Sequence, residues 1–475
     1  MKKMNYDKLL SPNRHRLSSK RATQSDMRSA FEKDYHRIIG SASFRRLQDK
    51  TQVFPLDKSD FVRTRLTHSL EVSSIAKSLG QTTGMELHKQ GLISADQAQA
   101  MADILLCAGL IHDIGNPPFG HFGENVIREW FREKLDILKF KDKTLRECLN
   151  ENQIADLCNF EGNAQSLRVV TRLHHLVDDK GMNLTKALLN TIIKYPISSS
   201  EIDKAAGDIR LKKMGYFTAD EKLFKDITED TGALNMRHPL TFLLEAADDI
   251  AYSSADLEDG FKKGILSYNR LLTLLKNNRF AAEYSEKPEY KDLAISINNL
   301  ERLYNVAISE NENKPEQYAV QNWVVSLQVI LIEAVCKSFI EKQELILNGE
   351  YKNDLFHGTS SELLIKVLKE TAFNHVFQDE GIVKLEIAAS KIISTLLNEF
   401  VDAAIVFDTD CHKTEKQEKL MQLISSNYMR IYYTDSEGKD EFEKLYLRML
   451  LVTDCISGMT DHYAKALYQD ISGIY

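Results

Sequence analysis

The stretch His112–Glu124 reads HDIGNPPFGHFGE. It follows the apolar run ILLCAGLI, Ile104–Ile111, which reads as the end of a buried helix. His112 and Asp113 close that helix. Pro117 and Pro118, flanked by Gly115 and Gly120, cannot continue it and force a tight loop. If a new helix starts after the loop, His121 and Glu124 lie one turn apart on one face. A helix end that supplies nitrogen and oxygen donors, followed by a stiff loop with a second His/Glu pair, is a frequent frame for a metal-dependent hydrolase. A His-Asp dipeptide alone carries little weight, because a histidine on an apolar helix is more often a hydrogen-bonded core residue. The whole segment is far more specific.

A metal needs further ligands projecting beside the first pair. His68 lies in RTRLTHSLEVSSIAKSL (Arg63–Leu79). With Val72, Ile75 and Leu79 it follows i, i+4, i+7, i+11 spacing, so it points into the core. Arg65 sits one turn earlier on roughly the same side. A cation beside a candidate ligand makes sense if an anionic substrate bridges the two. A second run, EAADDIAYSSADLEDG (Glu245–Gly260), places Asp248, Tyr252 and Asp256 at i, i+4, i+8 along one helix stripe. Carboxylates on a partly buried face cost free energy unless something pairs with them. The bland reading is a solvated acidic face. The set His68, His112, Asp113 and Asp248 has two nitrogen and two oxygen donors. It suits Mn²⁺, Mg²⁺ or Fe²⁺ and leaves positions for water and a substrate oxygen.

The rest of the chain fits a helical enzyme. Its 475 residues include only 8 prolines and 21 glycines, and no Ser/Gly- or Pro-rich tract divides it. Apolar residues recur at helical spacing almost throughout, so one large helical body is expected. A net charge of −8 argues against a generally basic nucleic-acid-binding surface, though not against a local basic groove. The six cysteines form no CxxC pair and are expected as free thiols, consistent with a cytoplasmic location. No apolar run follows the N-terminal lysines, so no signal peptide is expected. The apolar window Val324–Ile340 is interrupted by Gln328, Glu333 and Lys337, so no membrane span is expected. NYMRIYY (Asn427–Tyr433) reads as a short strand leading to a turn at Asp435–Lys439, and Gln52–Leu56 as another strand.

The order H…HD…D resembles the HD-domain metal-dependent phosphohydrolase superfamily. The longer text HDIGNPPFGHFGE is similar to its bacterial dGTP triphosphohydrolase branch. So are FRRLQDKTQVFP (Phe44–Pro55), FEGNAQSLR (Phe160–Arg168), KYP (Lys194–Pro196), KKMGYF (Lys212–Phe217) and SGMTDHYA (Ser457–Ala464), in family order over nearly the whole chain. The resemblance implies an all-α HD fold with a minor β-hairpin. The catalytic core would span residues 30–265, and a C-terminal helical part, 266–475, would complete the pocket and the oligomer contacts.

It further implies metal ligands at His68, His112, Asp113 and Asp248, and an acid/base pair at His121 and Glu124. Gln48, with Tyr252 and Asp256, would recognise the sugar 3′-hydroxyl. Arg65, Asn163, Lys194, Tyr195 and one of Lys212 or Lys213 would contact phosphate. The implied reaction converts a dNTP, dGTP above all, to deoxynucleoside and inorganic triphosphate with Mn²⁺ or Mg²⁺. Hexamers or tetramers, and regulation by a dNTP or single-stranded DNA, are also implied. Two other functions compete: a different HD nucleotide phosphodiesterase, and a non-catalytic nucleotide sensor.

Overall fold

The computed structural model describes residues 3–16, 26–56, 61–174, 180–280 and 291–474. Helices dominate it. Those that build the site and its supports are α1 (Ala30–Ile39), α2 (Arg65–Lys89), α3 (Ala95–Ile111), α4 (Gly120–Lys134), α5 (Gly162–Arg168), α6 (Lys186–Ile192), α7 (Pro239–Lys262), α8 (Pro315–Leu347), α9 (Glu362–His375), α10 (Glu380–Val406), α11 (Ser426–Ser436), α12 (Glu441–Ser457) and α13 (Asp461–Ser472). The stretches singled out from the sequence fall on three of them: α2 carries His68, α3 ends at His112 and α7 carries Asp248, Tyr252 and Asp256.

Local chemistry sets their starts. Thr64 and Thr67 form a capping box at α2, and Ser94 and Gln97 form one at α3. Pro239 opens α7 at the position where a missing N–H costs nothing. Helices α2 and α3 pack at very short range because Gly80, Gly84 and Gly109 line their contact. A Cβ on Gly109 would meet the Ser73 Cα at 2.5 Å.

Two apolar cores are present. One joins α2, α3 and α7 to α8 and α9, with Val72, Leu79, Ile111, Leu243, Leu331 and Leu364 buried in it. The other joins α4 to the C-terminal helices, uniting Ile127, Trp130 and Phe131 with Ile393, Leu397, Phe400 and Met449. Helix α8 is long and apolar enough to cross a membrane by length and composition, with a mean hydropathy of 1.8 over its apolar window. In the fold its Trp323, Leu327, Leu331, Val335 and Phe339 are fully buried in the first core. All six cysteines are free thiols.

Two strand expectations are corrected. Asn427–Tyr433 lies within helix α11. Its apolar residues Tyr428, Ile431 and Tyr432 fall at i, i+3, i+4, and Ile431 and Tyr432 are buried; this helical packing overrides the strand preference of Ile and Tyr. The turn that follows is real, with Gly438 at φ 73°. Gln52–Leu56 forms bends rather than a strand, and only Thr51 makes an isolated bridge, to Thr64. The hairpin that does form pairs β1 (Lys139–Phe140) with β2 (Lys143–Thr144), far from either expected strand.

Candidate active site

His112 is the C-cap of α3, and its Nδ1 lies 2.8 Å from the Gly109 carbonyl. That contact places the ring proton on Nδ1 and turns the Nε2 lone pair inward. Nε2 is buried and has no hydrogen-bond partner. It stands 3.4 Å from the Asp248 Oδ1 of α7, and the His68 Nε2 of α2 lies 3.3 Å from the same oxygen. The donor atoms of His68, His112 and Asp248 all lie within 4.8 Å of one another. Asp113 is adjacent but set apart: its Oδ2 is 3.5 Å from His112 Nε2 and is paired with the Arg65 guanidinium. The Asp248 Oδ2 accepts from Lys194 Nζ at 2.9 Å.

The electrostatics follow from burial and pairing. Burial alone would raise the Asp248 carboxyl, but Lys194 and His112 hold it well below its ordinary value. Burial would lower Lys194, yet Asp248 beside it drives the ammonium upward. An imidazole that is buried and partnerless at Nε2, facing a second imidazole and a carboxylate, is the donor set a divalent cation fits. His68, His112, Asp248 and the nearby Asp113 would hold such an ion.

These groups open into a cavity of about 540 Å³. Its lining includes Arg65, His68, Asp113, His121, Asn163, Lys194, Tyr195, Lys213, Asp248 and Tyr252, all singled out from the sequence. The helix restart occurs as expected, at Gly120, with Phe119 and Gly120 at φ 64° and 59°. His121 Nδ1 lies 3.1 Å from the Glu124 Oε2. The Glu124 Oε1 accepts the Gly162 N–H at 2.9 Å, and Arg128 Nη2 reaches Oε2 at 3.0 Å. Glu124 raises His121 above the ordinary histidine value. Burial works to raise Glu124, but His121, Lys213 and Arg128 hold it low.

Gln48 requires a correction. It is exposed and faces a separate small cleft with Asp49, Phe54 and His462. Gln52, four residues on, lines the cavity instead, and its Oε1 is buried without a partner. The short 3-10 helix Arg46–Asp49 turns Gln48 outward while the bend after Thr51 turns Gln52 in. Asp256 is buried one turn beyond Tyr252 and is not among the lining residues. Burial pushes its carboxyl far up, and its Oδ2 has no partner. Of the two lysines, Lys213 lines the cavity and donates to Glu161 at 3.0 Å, while Lys212 is exposed.

Sequence reasoning missed several lining groups. Asp249, beside Asp248, pairs with Lys369 of α9 at 2.6 Å, and burial raises its carboxyl to about 6. Glu245 accepts from the buried Arg237 at 2.6 Å. Phe373, Phe377, Gln378, Ile382 and Glu386 come from α9, α10 and their connection. Only Glu245 and Asp249 had a local signal, their i, i+4 spacing on α7. A larger groove of about 970 Å³ lies between α10 and α11, but no histidine lines it.

Residues 65–188 match the HD domain and residues 357–470 match the phosphohydrolase-associated domain, so this site is that of an HD-class phosphohydrolase. The chain is 49% identical to a deoxyguanosinetriphosphate triphosphohydrolase-like protein of Listeria monocytogenes, over 99% of this chain and 100% of that one. It is 34% identical to a protein of the same description from Synechocystis, with the same coverage. It is 32% identical to the deoxyguanosinetriphosphate triphosphohydrolase of Klebsiella pneumoniae, over 95% of each chain. The chain belongs to the deoxyguanosinetriphosphate triphosphohydrolase family.

Proposed function

We propose that this protein is a metal-dependent dNTP triphosphohydrolase that hydrolyses dGTP above all to deoxynucleoside and inorganic triphosphate. One observation carries the reading. The partnerless His112 Nε2, with His68 and Asp248, sits in the same cavity as the His121–Glu124 pair and the cations Arg65, Lys194 and Lys213. His68, His112, Asp113 and Asp248 would hold a Mn²⁺ or Mg²⁺, which would supply Lewis acidity toward a phosphoryl oxygen.

This chain's own residues do the rest. Arg65 and Lys194, paired with Asp113 and Asp248, line the cavity and would offer their positive charge to the phosphates. Lys213, Asn163 and Tyr195 extend the polar wall along the triphosphate. His121, oriented by Glu124, moves the proton to or from the reacting oxygens. Tyr252 packs on Phe377 with ring centroids 5.8 Å apart and narrows the sugar slot, and the open amide oxygen of Gln52 takes the sugar hydroxyl assigned above to Gln48. The base fills the far end, against Val53, Phe377 and Ile382, with Gln378 and Glu386 as its polar contacts. Homo-oligomer formation, and control by a dNTP or single-stranded DNA, belong to the same reading and are tested by size-exclusion chromatography with and without each ligand.

The test is incubation of the purified protein with each dNTP and with GTP, plus Mn²⁺ or Mg²⁺, resolving nucleoside and inorganic triphosphate. Deoxyguanosine and triphosphate from dGTP, with GTP intact, are expected. Release of monophosphate or diphosphate would move the protein to another HD phosphodiesterase activity. Binding without turnover, even with dNTP mixtures and single-stranded DNA, would make it a sensor.

A further inference from the structure

Glu161 is the residue just before α5, in the N-cap position where an acidic side chain usually bonds its own helix. It makes no such cap. The side chain is instead 1% exposed and fully committed elsewhere. Its Oε1 accepts from Asn163 Nδ2 at 2.7 Å and from Lys213 Nζ at 3.0 Å, both cavity-lining groups. Its Oε2 accepts from Arg128 Nη2 at 3.0 Å. That same nitrogen donates to the Glu124 Oε2, the oxygen facing His121. Arg128 is pinned further by its Nε donating to the Phe160 carbonyl at 2.6 Å.

We propose that Glu161 is a positioning residue that ties the triphosphate-binding side chains Asn163 and Lys213 to the His121–Glu124 pair through Arg128. The proposal rests on the reading that this cavity binds a nucleoside triphosphate. The physical argument is charge and geometry. Arg128 and Lys213 bring two positive charges against the two carboxylates of Glu124 and Glu161. With Glu161 present, Arg128 Nη2 divides its bond between Glu161 and the Glu124 Oε2 that faces His121; without Glu161 it would turn wholly to that oxygen and compete more strongly with His121. Lys213 would lose the anion that aims it along the wall. A buried carboxylate that accepts from three donors on three elements holds all of them to narrow positions.

The experiment measures binding of inorganic triphosphate to the Mn²⁺-loaded full chain by calorimetry, beside dGTP turnover. Glu161→Gln is expected to weaken triphosphate binding about 10-fold and kcat/KM about 10- to 100-fold, the range seen when groups that orient active-site ligands are removed. Lys213→Met alone weakens triphosphate binding, and adding Glu161→Gln to it is expected to cost less than Glu161→Gln costs in the wild type, because the share of the loss that runs through Lys213 is already gone while the share through Asn163 remains. Removing one member of a buried pair can prevent folding, whereas the double variant removes both charges and is compared with Lys213→Met directly. A full additive loss in the double variant overturns the proposal. So does Glu161→Gln that melts earlier but binds triphosphate as tightly as wild type, since that is a purely structural role. Wild type that binds triphosphate but hydrolyses no dNTP refutes the functional reading and leaves the binding comparison to decide Glu161. Wild type that binds no triphosphate overturns both.

Discussion

Gly109→Ala puts two known effects in opposition at one atom. Within a helix the change normally stabilises, by about 0.5–1 kcal/mol, because glycine loses more chain entropy on folding. Here the new methyl would sit 2.5 Å from the Ser73 Cα and 2.7 Å from the Ser73 N, both backbone atoms of α2. Relief to an ordinary contact of 3.4 Å requires α3 to move about 0.9 Å from α2, the difference of the two distances. Forced overpacking of this kind costs about 1–3 kcal/mol, so the net effect is a loss of up to about 2.5 kcal/mol. The displacement falls between His68 and His112, whose imidazoles face each other with centroids 5.4 Å apart. Divalent-metal affinity therefore drops as well, by about 10- to 100-fold, as when the support of a ligand is disturbed. Thermal unfolding with and without Mn²⁺, together with metal titration by calorimetry, reads both. The same interface supplies a graded control: Gly80→Ala would meet Ala102 Cα at 2.9 Å and Gly84→Ala the Ala98 carbonyl at 3.0 Å, and each should cost less. A Gly109→Ala protein that melts higher than wild type and binds Mn²⁺ equally well would refute the reasoning.

Three other outcomes are expected. His121→Ala should lower kcat about 10²- to 10⁴-fold while leaving Mn²⁺ and inorganic triphosphate binding near wild type, as calorimetry will show; loss of both bindings would contradict an acid/base role. Glu124 raises His121, so the His121-dependent limb of the kcat–pH profile should lie above the ordinary histidine value, and Glu124→Gln, which removes the anion that favours the imidazolium, should move that limb to lower pH. Gln52→Ala should raise the KM for dGTP without changing the preference for dGTP over GTP, since both carry the 3′-hydroxyl, whereas Gln48→Ala should leave the KM unchanged, because Gln48 faces a different cleft.

What the sequence made legible was what has a short period or a dense local code. His68, Val72, Ile75 and Leu79 announced their face by spacing, and all four are buried. The paired prolines announced the loop, and α4 restarts within it at Gly120. NYMRIYY was misread because Ile and Tyr favour strands in general, while burial of Ile431 and Tyr432 on one face of α11 decided the matter here. Gln48 and Gln52 lie one helical turn apart in number, but a 3-10 segment followed by bends makes one point out and the other in, and spacing cannot show that. Lys369, Gln378 and Glu386 reach the cavity from more than a hundred residues beyond α7. No periodicity encodes such a meeting; only the packing of α9 and α10 against the N-terminal helices creates it.

The C-terminal block SGMTDHYA shows why the two regions function as one body. Asp461 is 2% exposed and accepts from the Thr51 N–H at 2.9 Å, from the Thr51 hydroxyl, and from the Phe119 N–H at 3.0 Å. Phe119 is held left-handed two residues before His121, a conformation that costs a non-glycine residue about 1–2 kcal/mol and persists only where surrounding bonds fix it. Lys50 completes the clamp. Its buried ammonium donates to the Asn116 carbonyl at 2.6 Å, inside the HD loop, and to the Ser457 carbonyl at 2.7 Å, at the end of α12. Burial brings Lys50 down to about 7, so the carbonyls that receive it matter to keeping its charge. Residues 30–265 alone would lack Asp461 and Ser457. They would leave the Phe119 N–H and the Lys50 ammonium without those acceptors, and the strained turn before His121 would keep only its local bonds, such as Gly120 N–H to the Pro117 carbonyl at 3.1 Å. The HD motif carries His112 and Asp113, but the turn that presents His121 beside them is bonded to residues more than three hundred positions later in the chain.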